Sequence, residues 1–157
     1  MRKKTIEDYV EILYELQKDK KLVHTNDIAN ALNIRPSSVT EIFIKLSNEG
    51  YLNYKKYSGV NLTKKGEKLA LNTKKKHNTL KEFLIILGVN KKIAEADACE
   101  MEHILHPSTM ETIIKFVEVV QKCGFTPYWL RRLKKFIKTG KLSKCPPELE
   151  KICKEYI

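Results

Sequence analysis

The chain has 157 residues, with 30 Lys and Arg against 19 Asp and Glu and a formal net charge of +11. That length allows one ordinary domain or two small ones sharing a core, and the basic balance fits a polyanionic partner as well as a generally lysine-rich composition. No apolar stretch approaches the roughly 18–20 residues that span a bilayer. The N-terminus, Met1-Arg2-Lys3-Lys4-Thr5-Ile6-Glu7-Asp8-Tyr9, lacks the apolar core of a signal peptide, so a cytoplasmic protein is expected.

Ile6, Tyr9, Val10, Leu13 and Leu16 recur at helical spacing and predict an amphipathic helix over residues 5–18. Thr25 is expected to cap a second helix whose Ile28, Ala29 and Leu32 face inward. Asn33-Ile34-Arg35 reads as a tight turn. Pro36 suits the opening of a third helix, where its missing N–H is not needed. That helix runs through Val39, Ile42, Phe43 and Leu46 to a stop at Gly50. Two β-prone runs, 51–57 and 60–62, flank Ser58-Gly59 and predict a hairpin. Three helices followed by a hairpin is the order of a winged helix-turn-helix.

Thr63 is placed to cap a long helix from Lys64 to about Leu87, lysine-rich in its first half and apolar in its second. Gly88 ends it. A further helix is expected over residues 91–105, stopped by Pro107, and another capped by Ser108 and carrying Met110, Ile113, Ile114, Val117 and Val120. Cys123-Gly124 marks a boundary. Beyond it lie a basic helical stretch around 129–137 and a short final helix after Pro146-Pro147. The predicted fold is mainly α: an N-terminal winged helix-turn-helix with a small β-hairpin wing, then an all-helical part.

Recognition helices offer polar and small residues at their N-terminal end to base edges and phosphates. Here that end is Arg35-Pro36-Ser37-Ser38-Val39-Thr40-Glu41. Arg35 suits guanine or phosphate, Ser37, Ser38 and Thr40 suit phosphates or bases, and Glu41 suits a cytosine amino group. Lys55, Lys56 and Tyr57 on the wing are placed to touch a phosphate strand or a minor groove. Each piece alone also reads as a capped helix start or a solvated face. The complete order, with the wing straight after the third helix, points to double-stranded DNA.

A second constellation surrounds Asp97-Ala98-Cys99-Glu100-Met101-Glu102-His103. On a helix, Cys99, Glu102 and His103 stand at i, i+3 and i+4 and leave one face together. A thiolate, a carboxylate and an imidazole there make a transition-metal half-site. Asp8 and Glu11 repeat the i, i+3 spacing, His77 adds a further imidazole, and Glu102 is able to bridge two ions. Mixed oxygen and nitrogen ligation suits Mn(II), Fe(II) or Co(II), while the thiolate tilts toward Fe(II) or Zn(II). The plainer readings are an acidic first turn complementing the helix dipole for Asp8 and Glu11, a small buried hydrophobe for Cys99, and a solvated face for His77. The four cysteines form no compact pair, and in a reducing compartment they read as thiols or ligands rather than disulfides. Cys123, Cys145 and Cys153 lack the paired spacing of a structural zinc site. Trp129, Leu130, Leu133 and Phe136 form a predicted packing face on the basic helix.

With these motifs in order, the chain resembles the iron- and manganese-dependent repressors of the diphtheria toxin repressor and manganese transport regulator group. The resemblance covers about residues 4–120. It rests on Glu7-Asp8-Tyr9-Val10-Glu11, on Pro36-Ser37-Ser38-Val39-Thr40, on residues 51–66, on His77, and on Cys99-Glu100-Met101-Glu102-His103. It implies a winged helix-turn-helix DNA-binding domain at 1–72, a helical metal-binding and dimerisation domain at 73–122, and a basic helical extension at 123–157. The apolar run 83–87 would lie near a two-fold axis. A homodimer loaded with Mn(II) or Fe(II) would have the orientation of its two domains fixed by metal bound between them, and would grip a palindromic operator and repress metal-uptake genes.

The implied ligand set, Asp8, Glu11, His77, Cys99, Glu102 and His103, is a hybrid. Asp8 and Glu11 match the manganese branch, where the iron branch has methionine at the position of Asp8. Cys99 matches the iron branch, where the manganese branch has glutamate. The iron branch's ancillary site expects a carboxylate and a second histidine where this chain has Lys81 and Glu95, so that site is expected to be absent or altered. The SH3-like third domain of longer members is expected to be missing. Two other readings compete: a winged-helix regulator that ignores metal and answers another ligand, and a small metallohydrolase. The second has no dedicated general base, nucleophile motif or glycine-rich phosphate loop to support it, so no enzyme is expected.

Overall fold

The computed structural model describes residues 3–20, 22–55, 58–124, 126–144 and 146. In chain order these form α1 (Lys3–Asp19), α2 (Thr25–Leu32), α3 (Pro36–Asn48), β1 (Leu52–Lys55), β2 (Gly59–Leu62), α4 (Lys64–Leu87), α5 (Lys91–Ile104), α6 (Pro107–Lys122) and α7 (Tyr128–Thr139). The chain packs as two units. One comprises the described residues up to Asn78 together with Cys99–Leu105; the other comprises residues 79–98 and those described from His106 onward. Lys56, Tyr57, Cys145, Cys153 and the expected helix after Pro146-Pro147 lie outside the described residues. Among the described residues no helix is long and apolar enough to cross a membrane.

In the first unit, α1, α2, α3 and the hairpin close over Val10, Leu13, Val23, Ile28, Val39, Phe43, Leu46 and Val60, all excluded from solvent. Phe43 is the hub, meeting Tyr9 edge-on at 6.4 Å and Tyr54 at 5.2 Å. Strands β1 and β2 are antiparallel, pairing Leu52 with Leu62 and Tyr54 with Val60. The Val60 N–H donates to Val23 O at 2.9 Å, which ties the wing to the connection between α1 and α2.

Local chemistry explains most helix ends. Pro36 occupies the first turn of α3, Asn33 adopts φ +53 after α2, and Thr63 Oγ1 accepts from Gly66 N at 3.1 Å to cap α4. Two caps sit one or two residues earlier than the sequence suggests. His24, in extended conformation, precedes α2, and its N–H donates to Asp27 Oδ2 at 2.8 Å, so Thr25 is the first helical residue. Asp27 therefore supplies the capping group from inside the first turn, and the boundary moves back. Likewise His106 precedes α6 and its Nδ1 accepts from Ser108 N, because Pro107 takes the first helical position; Ser108 is the second residue of the helix, not its cap.

The second unit buries Leu80, Ala94, Ala98, Met110, Val117 and Leu130. Phe116 meets Phe83 edge-on at 5.5 Å and Trp129 at 6.0 Å. The expected packing face of α7 is only partly covered. Leu130 is buried, but Trp129 and Phe136 stay 47% and 45% exposed.

Gly66 gives a clear test of the joint between α4 and the hairpin. A Cβ there would overlap the Tyr51 carbonyl oxygen and lie 2.9 Å from Leu62 Cδ2. In an open helix Gly→Ala stabilises by about 1 kcal/mol. Here Gly66→Ala is expected to have the opposite sign and destabilise by about 1–3 kcal/mol, read as a lower urea midpoint with an unchanged slope.

Candidate metal centre

Three helical segments of the first unit meet around an acidic cluster. Helix α1 supplies Glu7, Asp8 and Glu11, α4 supplies His77 with Lys76 beside it, and the last turns of α5 supply Cys99, Glu102 and His103. The side chains of Glu7, Glu102 and His103 are 1%, 1% and 2% exposed. Buried ionisable groups at this density are uncommon unless paired or bound to a cation.

The distances define the arrangement. His103 Nδ1–H donates to Glu7 Oε2 at 2.8 Å. Lys76 Nζ stands 3.8 Å from Glu7 Oε1. On the other side of the ring, His103 Nε2 lies 3.1 Å from Asp8 Oδ1 and 3.4 Å from Glu102 Oε1. His77 Nδ1 lies 3.4 Å from Glu102 Oε2. A carboxylate only accepts, so Glu7 fixes the His103 proton on Nδ1 and leaves the Nε2 lone pair facing further carboxylate oxygens. His103 Nε2 and Glu102 Oε2 are both sealed from solvent and neither makes a hydrogen bond. Acceptor facing acceptor in a dry pocket is repulsive until a proton or a cation enters.

The electrostatics agree. The Glu102 carboxyl is pushed up to about 8, by burial first and then by Glu11, Glu7 and Asp8, with Lys76 offsetting part of the rise. Burial also raises Asp8, against the pull that Lys4 and a protonated His103 ring exert, and raises Glu11, against the pull of protonated His77 and His103 rings. Cys99 is exposed. Its thiol is raised by partial burial and then by Glu102 and Asp8, so the neighbouring charges disfavour a free thiolate. At the rim, Lys4 Nζ pairs with Glu100 at 2.6 Å. Among the described residues no three His, Cys, Asp or Glu side chains already surround a common point as a ready cage. The donors instead lean on one another. The donor set of carboxylates and imidazoles, with one buried imidazole nitrogen lacking a hydrogen bond, fits a divalent transition-metal ion.

The structure thus brings Asp8, Glu11, His77, Glu102 and His103 together, with Cys99 on the exposed side of the same turn. Glu7 was not singled out as a site residue from the sequence. The available signal was its place three residues before buried Val10, on a face where a solvated carboxylate does not belong. In the second unit, Lys81 Nζ pairs with Glu95 Oε2 at 2.5 Å.

On the winged helix, Arg35, Pro36, Ser37, Ser38, Glu41 and Lys55 are exposed. Thr40 is half-buried and its hydroxyl donates to Pro36 O at 3.0 Å, which engages it within the helix. The starts of α2 and α3 and the wing border a groove lined by His24, Thr25, Asn26, Pro36, Thr40 and Tyr54.

Fold and site define a winged-helix DNA-binding protein with a buried carboxylate–imidazole cluster. Residues 1–60 match the family described as iron dependent repressor, N-terminal DNA binding domain, and residues 63–131 match iron dependent repressor, metal binding and dimerisation domain. The chain is 40% identical over 116 residues to an uncharacterized HTH-type transcriptional regulator, MJ0568, of Methanocaldococcus jannaschii, covering 73% of this chain and 93% of that one. It is 38% identical over 118 residues to the HTH-type transcriptional regulator MntR of Lysinibacillus sphaericus, covering 75% and 85%. Among solved structures, the manganese regulator SloR aligns with a TM-score of 0.62 at 30% identity, and ScaR with bound Zn2+ with 0.64 at 31%; each comparison covers 72% of this chain and 53% of the other. The chain therefore spans about half the length of those two solved regulators. It belongs to the iron-dependent repressor family, whose members are metal-dependent, DNA-binding transcriptional regulators.

The raised carboxyls give the metal-free protein a pH signature. Folded Glu102 holds its proton up to about pH 8, whereas an unfolded glutamate releases it near 4.5. Between those values the folded state binds more protons, so stability falls as pH rises. Asp8 and Glu11, also raised, act in the same direction. The thermal midpoint of chelator-treated protein is expected to drop across this window, and Glu102→Gln to flatten the drop. A midpoint that climbs instead would remove the raised carboxyls from the account.

Proposed function

We propose that this chain is a homodimeric, cytoplasmic repressor of metal-uptake genes that grips a palindromic operator when Mn(II), or Fe(II) in its place, is bound by Asp8, Glu11, His77, Cys99, Glu102 and His103. The observation that carries this reading is the sealed His103 Nε2, held toward Asp8 and Glu102 by the hydrogen bond from Nδ1 to Glu7. The manganese regulators among the similar proteins support the choice of metal. So does the donor chemistry: three carboxylates and two imidazoles are hard to borderline ligands. Cys99, exposed and disfavoured as a free thiolate, joins them from the rim.

A bound divalent ion supplies the positive charge that the cluster lacks. Asp8 and Glu11 hold the α1 side, while Glu102 and His103 hold the end of α5. Helix α1 also carries Tyr9, Val10 and Leu13 into the core beneath the recognition helix. Neutralising the acids therefore steadies the helix on which the DNA reader rests. Arg35, Pro36, Ser37, Ser38, Thr40, Glu41 and Lys55, with Lys56 and Tyr57 of the wing, are the proposed DNA contacts. The division of labour follows the chain: 1–72 reads DNA, 73–122 completes the metal site and dimerises, and 123–157 extends it. By linkage, operator DNA tightens metal binding by the same factor that metal tightens DNA binding.

The test is a DNA-binding titration against promoter fragments from the source genome, with chelator, Mn(II) and Fe(II) in parallel under anaerobic conditions. Binding only with metal supports the reading, and equal binding with chelator returns the chain to a metal-independent regulator. Glu102→Ala is expected to abolish metal-stimulated DNA binding in a protein that still folds. Glu7→Ala keeps every proposed ligand but frees the His103 ring. It is expected to weaken Mn(II) binding by about 10–100-fold in a calorimetric titration.

A further inference from the structure

Helix α7 concentrates charge in a way the other helices do not. From Gly124 to Pro146 there are seven cations and no acidic residue: Arg131, Arg132, Lys134, Lys135, Lys138, Lys141 and Lys144. In α6 the lysines have carboxylate neighbours one turn away, Lys115 with Glu111 at 2.9 Å and Lys122 with Glu118 at 3.9 Å. Helix α7 contains no carboxylate at all. Its cations repel one another on successive turns, an arrangement that favours an external anion.

The helix is also shaped for one. Arg132 turns back, its Nε and Nη2 donating to Ser143 O at 3.1 and 2.6 Å, and the Tyr128 hydroxyl donates to Lys144 O at 3.3 Å. These bonds lay the following segment alongside the helix. They leave a shallow groove lined by Tyr128, Arg131, Arg132, Lys135 and Ser143. Arg131 lies 5.8 Å from the Tyr128 ring centroid. Guanidinium groups beside hydroxyls suit phosphate oxygens. Arg131 to Lys138 spans about 10 Å of helix, enough to meet two or three phosphates of one strand.

We propose that the basic face of α7 and its groove bind DNA phosphates as a second, sequence-independent contact, separate from the winged helix. A lipid surface fits less well. Leu130 of the apolar arc is buried and Leu133 half-buried, whereas a helix lying on a membrane turns that arc outward. Trp129, Phe136 and Ile137 keep exposure at the margins of the arc. This contact needs no metal, so its test does not stand or fall with the metal-responsive reading.

The experiment follows binding of the full chain to a short duplex of scrambled sequence, with chelator present, by fluorescence anisotropy across a salt series. The variant Arg131→Gln/Lys135→Gln/Lys138→Gln removes three positive charges from the face. Its slope of log affinity against log salt is expected to fall by about 2–3, near 0.9 for each phosphate no longer neutralised, with affinity down about tenfold or more. The charge-preserving variant Arg131→Lys/Lys135→Arg/Lys138→Arg is expected to keep the wild-type slope, which separates the effect of charge from that of folding. An unchanged slope and affinity in the glutamine variant overturns the proposal. So does a glutamine variant that loses binding to phosphatidylglycerol vesicles while its DNA binding is intact, an outcome that assigns the face to membranes.

Discussion

The 2.8 Å hydrogen bond between Glu7 and His103 joins residues 96 positions apart in a place almost without water. It sets the tautomer of the imidazole and aims the free nitrogen at Asp8 and Glu102. It also fastens the end of α5 to the first helix of the winged-helix unit. Remove it and the ring is free to turn, the remaining acids lose their common focus, and α1 loses its partner on that side. The other features of the site, the raised Glu102 carboxyl above all, are consequences of gathering these charges around one oriented ring.

Such a cluster is an unfavourable thing to build into a small core. Burying carboxylates against one another opposes folding, and the apolar packing around Phe43 must offset it. Proteins accept this kind of local conflict where a ligand resolves it. Lysines at the margin moderate the conflict without removing it: Lys76 lies beside Glu7, and Lys4 is held at the rim by Glu100. The paired Lys81 and Glu95 show the contrasting solution, in which the chain supplies its own cation and no such conflict persists.

Much of this was legible in the sequence because local chemistry dictates it. Pro36, Thr63 and Gly88 mark helix ends through properties that hold in any context, and the hairpin follows from two β-prone runs around Gly59. Helical spacing assigns Cys99, Glu102 and His103 to one side of α5. Spacing gives direction around a helix but not depth, so it did not foretell that Glu102 and His103 are buried while Cys99 is exposed. Glu7 is not legible in the sequence because composition argues against a carboxylate in a core, and it is explained by the imidazole 96 residues away together with Lys76 beside it. The caps at His24 and His106 were missed because histidine is a weak capping residue. Asp27 and Pro107, inside their helices, decide where those helices begin. For α7 the pattern marks an apolar arc but says nothing of how much partner surface awaits it.

The bond from Val60 N to Val23 O has a further meaning for how the molecule behaves in a crowded solution. A two-stranded ribbon offers open backbone edges, and open edges are templates on which copies of a chain add strands and aggregate. Here each strand is only four residues long, and Val23 covers part of the outer side of β2. The wing can therefore project from the surface while leaving little continuous edge for another copy to extend.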